Sequence, residues 1–237
     1  MVCITGATHA QDETGRVLNL MQQLAATYKN IPQLSFDVMY KYASEAAPDN
    51  YQDSLNGHFK LSGNRFWYDM DNTEAICTGD YLIMLFKEDN VMYLAKPSTM
   101  ASQSTVNPLA MLDSFLVNNK NVACHLTQQQ EQQVITLDFT GDGPCKKVEY
   151  YINKKTGLLV KTVNVVRAEQ LYEAPARPLI EGATTYAIVE ASYNNYQQGG
   201  FDNSVFDYNR YFKKQGTEYT TVTPFDSYKI FLGTPNL

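Results

Sequence analysis

The stretch Leu55-Asn-Gly-His-Phe-Lys-Leu-Ser-Gly-Asn-Arg-Phe-Trp-Tyr-Asp-Met70 decides the fold. Leu55, Gly57, Phe59 and Leu61 alternate with Asn56, His58 and Lys60, the period of two that a half-buried strand requires. Ser62-Gly63-Asn64 supplies a turn, and Arg65 to Met70 returns as an aromatic strand. Two strands joined by so short a turn are antiparallel, so the pattern reads as a hairpin.

The same period extends outward on both sides. Upstream, Phe36, Val38, Tyr40 and Tyr42 alternate with Asp37, Met39 and Lys41, and Ala46 to Asn50 reads as the turn into the hairpin. Downstream, Glu74–Cys77, Tyr81–Phe86 and Val91–Ala95 read as three short strands, with turns at Thr78–Asp80 and Glu88–Asn90. Strands return at 122–127, 133–139, 146–153, 158–166 and 186–193, giving about eleven in all, and a terminal hairpin is predicted from 217–222 and 228–232. The Gln-rich run Gln128–Gln133 fits a solvated hairpin tip, and the segment around Pro175 and Pro178 fits a loop.

Two segments carry a helical period instead. Val17, Leu20, Met21, Leu24 and Tyr28 form an amphipathic stripe from about Gly15 to Lys29, stopped by Ile31-Pro32. Asn107-Pro108 is a good N-cap followed by a good first helical residue, and Leu109, Leu112 and Leu116 make one stripe behind it.

A long antiparallel meander must hide one face, and two amphipathic helices are available to cover it. The predicted fold is therefore α+β and β-rich: a curved antiparallel sheet, an incomplete barrel, with helices over it. Phe36, Val38, Tyr40, Phe59, Leu61, Phe66, Tyr68, Met84, Phe86 and Met92 are the expected residues of the covered face, with Leu109, Leu112 and Leu116 on the covering helix. Met adapts its shape to varied apolar partners, which suits a ligand cavity, although the same side chains would also make an ordinary filled core.

Charge and motifs narrow the chemistry. The 19 basic and 25 acidic residues leave a net charge of −6 without basic clusters, which excludes nucleic acid as the main partner. No apolar run approaches the roughly 20 residues of a membrane-spanning helix. No catalytic or phosphate-binding motif occurs, and no C-x-x-C pair suggests a metal, so neither a metal nor a cofactor is expected. The three histidines are His9, His58 and His125. His58 as a general base, or Asp37, Asp69 and Asp71 as converging carboxylates, are the available catalytic readings, but strand polarity accounts for all four. The expectation is a protein that is not an enzyme.

Residues 1–10 end in Thr8-His9-Ala10, with small residues at the −3 and −1 positions of a secretory cleavage site. They are read as the remnant of a signal peptide whose beginning is missing, with an ordinary flexible N-terminus as the alternative. Residues 11–237 are then expected to form one domain, extended at its C-terminus from about residue 213. Cys3 lies in the remnant, Cys77, Cys124 and Cys145 are expected as separate thiols, and a Cys124–Cys145 bridge is left open.

The order of elements resembles the periplasmic outer-membrane lipoprotein carrier superfamily, the LolA/LolB-like fold, over roughly residues 15–210. Five stretches carry the likeness: Leu34-Ser-Phe-Asp37, Gly57–Leu61 with Asn64–Tyr68, Thr78–Met84, Asn107-Pro108-Leu109 and Asp202–Phe206. The family's basic residue and proline ahead of the aromatic strand are replaced here by Leu61-Ser62-Gly63, and the tail after Phe212 is additional. The resemblance implies a half-barrel with a helical lid around an apolar cavity that receives acyl chains. It further implies a periplasmic or otherwise secreted carrier for lipid or an acylated lipoprotein, with other envelope proteins as further partners. The alternative is an interaction or sensor domain using the same scaffold with a filled core.

Overall fold

The computed structural model describes residues 7–97, 122–141, 143–171, 186–234 and 237. One helix, α1 (Ala7–Asn30), precedes β1 (Leu34–Ser44), β2 (Ala47–Ser62), β3 (Arg65–Met70), β4 (Thr73–Cys77), β5 (Leu82–Phe86) and β6 (Val91–Ala95). Then come β7 (Val122–Gln128), β8 (Gln132–Phe139), β9 (Cys145–Asn153), β10 (Leu159–Arg167) and β11 (Tyr186–Gln198). The tail adds β12 (Phe212–Gln215), β13 (Glu218–Thr221) and β14 (Lys229–Leu232). The second predicted helix, with Leu109, Leu112 and Leu116, and the loop around Pro175 and Pro178 lie outside the described residues.

Twelve strands hydrogen-bond in the order β14-β6-β5-β4-β3-β2-β1-β11-β10-β9-β8-β7. The order does not return on itself, so the sheet is open, with β14 and β7 at its edges. All eleven expected strands are present, and the class is β-rich α+β as the sequence implies. The deciding hairpin has the expected register: Phe59 faces Tyr68 and Leu61 faces Phe66 across a Gly63-Asn64 turn, with Gly63 at φ 62°. A residue with a side chain is disfavoured there, which is why glycine marks the turn.

Two local expectations are corrected. Ala46–Asn50 is not a turn: the chain reverses at Glu45-Ala46 and β2 already begins at Ala47, carrying Pro48 in an exposed arm. The terminal hairpin of 217–222 with 228–232 does not form either. β13 pairs with β12 across Gly216-Thr217, and β14 instead runs parallel to β6, Ile230 beside Met92. Gly216 at φ 63° is the signal for that hairpin. It was obscured because Phe212-Lys-Lys-Gln215 has no apolar alternation.

The described residues gather into two compact units. The first contains α1 to Tyr28, residues 39–55, β7–β10 and β11 to Asn194. The predicted helical stripe is its core: Val17 is 0% exposed, Met21 1% and Leu24 2%. Two side-chain bonds fasten the helix to strands. The Leu126 N–H donates to Glu13 Oε1 at 2.9 Å, and the Leu159 N–H to Tyr28 Oη at 3.3 Å. On the opposite strand face, Lys147, Glu149, Tyr151, Lys161 and Glu190 form a solvated ladder of ion pairs and cation–π contacts.

The second unit contains residues 29–38 and 56–97, and the chain from Asn195 onward. Cross-strand register gives β3–β6 two distinct faces. One carries Phe66, Tyr68, Ala75, Cys77, Met84 and Phe86; the other carries Trp67, Ile76, Ile83, Leu85, Met92 and Leu94. Both are apolar. Val205, Phe206, Tyr211 and Phe212 bury the second face, joined by half-buried Tyr208, Tyr219, Phe225 and Tyr228. The C-terminal segment thus supplies a core of its own.

Candidate functional site

The apolar face that the sequence points to is assembled in the second unit by neighbouring strands. Phe36 from β1 stacks on Phe59 from β2 with ring centroids 5.3 Å apart and planes 3° from parallel. Phe59 meets Tyr68 from β3 at 5.5 Å, Tyr68 meets Phe66 at 6.4 Å, and Tyr196 from β11 closes on Phe36 at 5.2 Å. Such offset and tilted ring pairs are favourable beyond the area they bury. Gly57 keeps the row in place: a Cβ there would come within 2.9 Å of Phe59 Cε2, so a larger residue would push that ring out of its stack.

Phe36, Val38, Phe59 and Tyr68 are almost fully buried. Leu61, Phe66, Met84 and Phe86 continue the face as half-buried side chains. Eight of the predicted site residues are therefore brought onto one face of this unit. Tyr40 follows Val38 in the β1 alternation but belongs to the first unit, where its hydroxyl acts on buried Tyr193. Leu109, Leu112 and Leu116 lie outside the described residues.

Met92 is a correction. It pairs with Leu85, whose side chain alternates with that of Met84, so Met92 lies on the opposite face with Ile76, Ile83 and Leu94, 0% exposed. The reason is legible in hindsight. Val91-Met-Tyr-Leu-Ala95 has no polar residue to mark either side, so period alone cannot assign its faces.

The polar candidates sit apart from the aromatic row. Asp37 Oδ1 lies 2.6 Å from His58 Nδ1, and Asp37 Oδ2 accepts from Asn195 Nδ2 at 2.7 Å. A carboxylate only accepts, so the His58 Nδ1–H donates to Asp37. Asn195 adopts φ 54°, a left-handed conformation that Asn tolerates better than most residues. Asp69 is engaged separately by Lys87, and Asp71 holds a turn at φ 50°. The three aspartates therefore do not share a proton as a catalytic pair would. His125 Nδ1 lies 3.8 Å from Glu13. Among the described residues no cluster of three or more His, Cys, Asp or Glu is placed to hold a metal, and no helix is long and apolar enough to cross a membrane.

The bonds from Asn195 and then His58 hold the Asp37 carboxyl below its ordinary value. Because the folded value is the lower one, the stabilisation is present above the ordinary carboxylate range and is lost as pH falls through the folded value. Asn195→Ala is expected to return the Asp37 titration toward the ordinary value, so that stability is lower at neutral pH and this carboxyl's share of the acid destabilisation shrinks. A carboxyl-carbon NMR titration reads this directly. An unchanged Asp37 titration would show that the Asn195 bond does not form in solution.

Cys77, Cys124 and Cys145 are free thiols. β8 lies between the strands of Cys124 and Cys145, so the bridge left open by the sequence is not made. Burial pushes the Cys145 thiol up to about 11 and raises that of Cys77, which makes both poor nucleophiles.

One groove was not anticipated. About 400 Å³ in volume, it lies in the first unit, where Arg16, Asn19 and Gln23 of α1 face Leu126, Gln128 and Gln133 of the β7–β8 hairpin. The sequence signal was present, since the Gln-rich run supplies two of its carboxamides, but a polar hairpin tip gives no reason to expect a helix beside it.

No protein-family model and no curated protein matches this chain. Among solved structures it is similar to an uncharacterized conserved protein from Thermus thermophilus, at 8% identity over 92% of this chain and 98% of that one, with a TM-score of 0.46. It is also similar to lipoprotein LppX of Mycobacterium tuberculosis, at 11% identity over 79% and 98% of the two chains, TM-score 0.42. A LolA superfamily protein from Nitrosomonas europaea is similar at 12% identity over 81% and 98%, TM-score 0.38.

Proposed function

We propose that this chain is a non-catalytic binding protein of the bacterial envelope, periplasmic or otherwise secreted, that holds lipid or the acyl chains of a lipoprotein. The observation that carries this reading is the aromatic row Phe36–Phe59–Tyr68–Phe66, continued by half-buried Leu61, Met84 and Phe86 on one sheet face. An acyl chain laid on such a face gains about 0.8 kcal/mol per CH₂ removed from water, so eight methylenes supply roughly 6 kcal/mol. Native mass spectrometry of the purified protein, with organic extraction, is expected to find bound lipid. A preparation that carries none and takes up no fatty-acyl probe would sink the proposal.

A second reading has its own support. Phe36, Val38, Phe59 and Tyr68 are at most 5% exposed, as in a filled core. The scaffold would then serve an interaction with another envelope protein. Capture of one defined envelope partner by a protein that takes up no acyl probe would favour it.

A further inference from the structure

Cross-strand register carries the aromatic row of the second unit beyond β3. Tyr68 lies opposite Ala75, Ala75 opposite Met84, Met84 opposite Tyr93, and Tyr93 beside Phe231 of β14. Residues directly across a ladder share a face, so one apolar line crosses the sheet from Phe59 on β2 to the β14 edge. The alternation along β14 agrees. Ile230 packs on the tail-covered core, so Phe231 projects to the other side. Gly233 shares that side, and a Cβ there would collide with the ring and hydroxyl of Tyr93. The Tyr93 ring therefore lies over the glycine, on β14 itself.

The line is closed at its inner end and open at its outer end. Phe59 and Tyr68 are 3% and 5% exposed, Met84 and Tyr93 are half-buried, and Phe231 is 53% exposed. A single exposed apolar side chain is ordinary on a protein surface, and Leu232, 48% exposed on the opposite side, is of that kind. Phe231 differs because it ends a continuous apolar line. Edge strands commonly carry charge or a bulge to discourage contact, and here the edge presents an aromatic ring instead.

We propose that acyl chains reach this face over the β14 edge, the chain lying across Phe231, Tyr93 and Met84 and its head group staying in water beyond the edge. This rests on the acyl-binding reading above and deepens it in two ways. The C-terminal strand becomes part of the site, since β14 adds the outermost apolar residue to a face built by β2–β6. The ligand class also widens: an acyl chain on a bulky hydrophilic head is accepted as well as a free fatty acid, because only the chain crosses the edge. Three neighbouring strands span about 10 Å, which seats the outer methylenes of such a chain.

The test titrates palmitate and palmitoyl lysophosphatidylcholine, each below its micelle-forming concentration, into wild type, Phe231→Ala and Leu232→Ala. Both side chains are about half exposed, so the urea midpoints of the two variants should stay within about 0.5 M of wild type. Phe231→Ala is expected to weaken both ligands about fivefold, the effect of losing part of one apolar side chain from the contact, and Leu232→Ala to weaken neither. Wild-type affinity in Phe231→Ala, or an equal loss in Leu232→Ala, would overturn the edge entry and leave acyl binding standing. So would a wild type that binds palmitate but not the lysophospholipid, since a head left in water cannot exclude the chain. A wild type that takes up neither ligand would remove the acyl-binding reading, and this inference with it.

Discussion

Phe212→Ala is expected to destabilise the second unit by about 3–5 kcal/mol, the range for removing a fully buried aromatic ring. Phe212 is 0% exposed. Its ring centroid lies 5.1 Å from that of Tyr81, 5.4 Å from Tyr208 and 5.7 Å from Tyr219. These partners come from the entry to β5, the turn before β12, and β13. A cavity at Phe212 cannot be refilled by one side chain shifting, because Tyr81 and Tyr208 hold each other at 5.0 Å and Tyr219 is tied by its hydroxyl to the Leu237 carbonyl. Trp67, the chain's single tryptophan, packs against the same cluster, so its fluorescence reports this core directly. With a urea slope of about 2 kcal/mol per molar, the unfolding midpoint should fall by about 2 M. A fall of less than about 0.5 M would mean that the C-terminal segment is laid on the sheet without stabilising it.

That segment also shows where sequence reading ends. Alternation, and for β4–β6 short apolar runs bounded by turn residues, located β1–β11 because each strand needs only its own residues to declare itself. The helical stripe Val17, Met21, Leu24, Tyr28 was equally legible, since all four side chains are buried in the fold. Pairing partners were not. Tyr228–Leu232 reads as a strand in isolation, but nothing local distinguishes an antiparallel partner at 217–222 from a parallel one at β6, reached across more than a hundred residues. The apolar site was legible where polar residues mark one side, as Asn56, His58 and Lys60 do on β2. It failed at β6, where Val91, Tyr93 and Ala95 on one side carry no more polar marking than Met92 and Leu94 on the other. The burial of Tyr150 on β9, 2% exposed, was beyond reach, since strand tyrosines ordinarily turn their polar tip toward water.

The two methionines on adjacent strands, Met84 and Met92, separate the two faces by experiment. Met92 is fully buried beneath the C-terminal segment, so Met92→Ala should cost about 2–5 kcal/mol of stability. Its side chain points away from the aromatic row, and acyl affinity of the folded variant should equal that of wild type. Met84 is half-buried beside Ala75 and Tyr93 on the row's own face. Truncating it removes less buried area, so Met84→Ala should cost only about 1–2 kcal/mol of stability. If acyl chains lie on this face, the same truncation deletes contacts to the ligand and weakens binding by about 1 kcal/mol, or roughly fivefold. Urea unfolding and fatty-acid titration of both variants give four numbers, and the proposal fixes their pattern. Acyl affinity lost on Met92→Ala and kept on Met84→Ala would place the ligand on the tail-covered face and refute the assignment. Affinity kept on both, in a protein that does bind lipid, would move the acyl chain off the second unit's row.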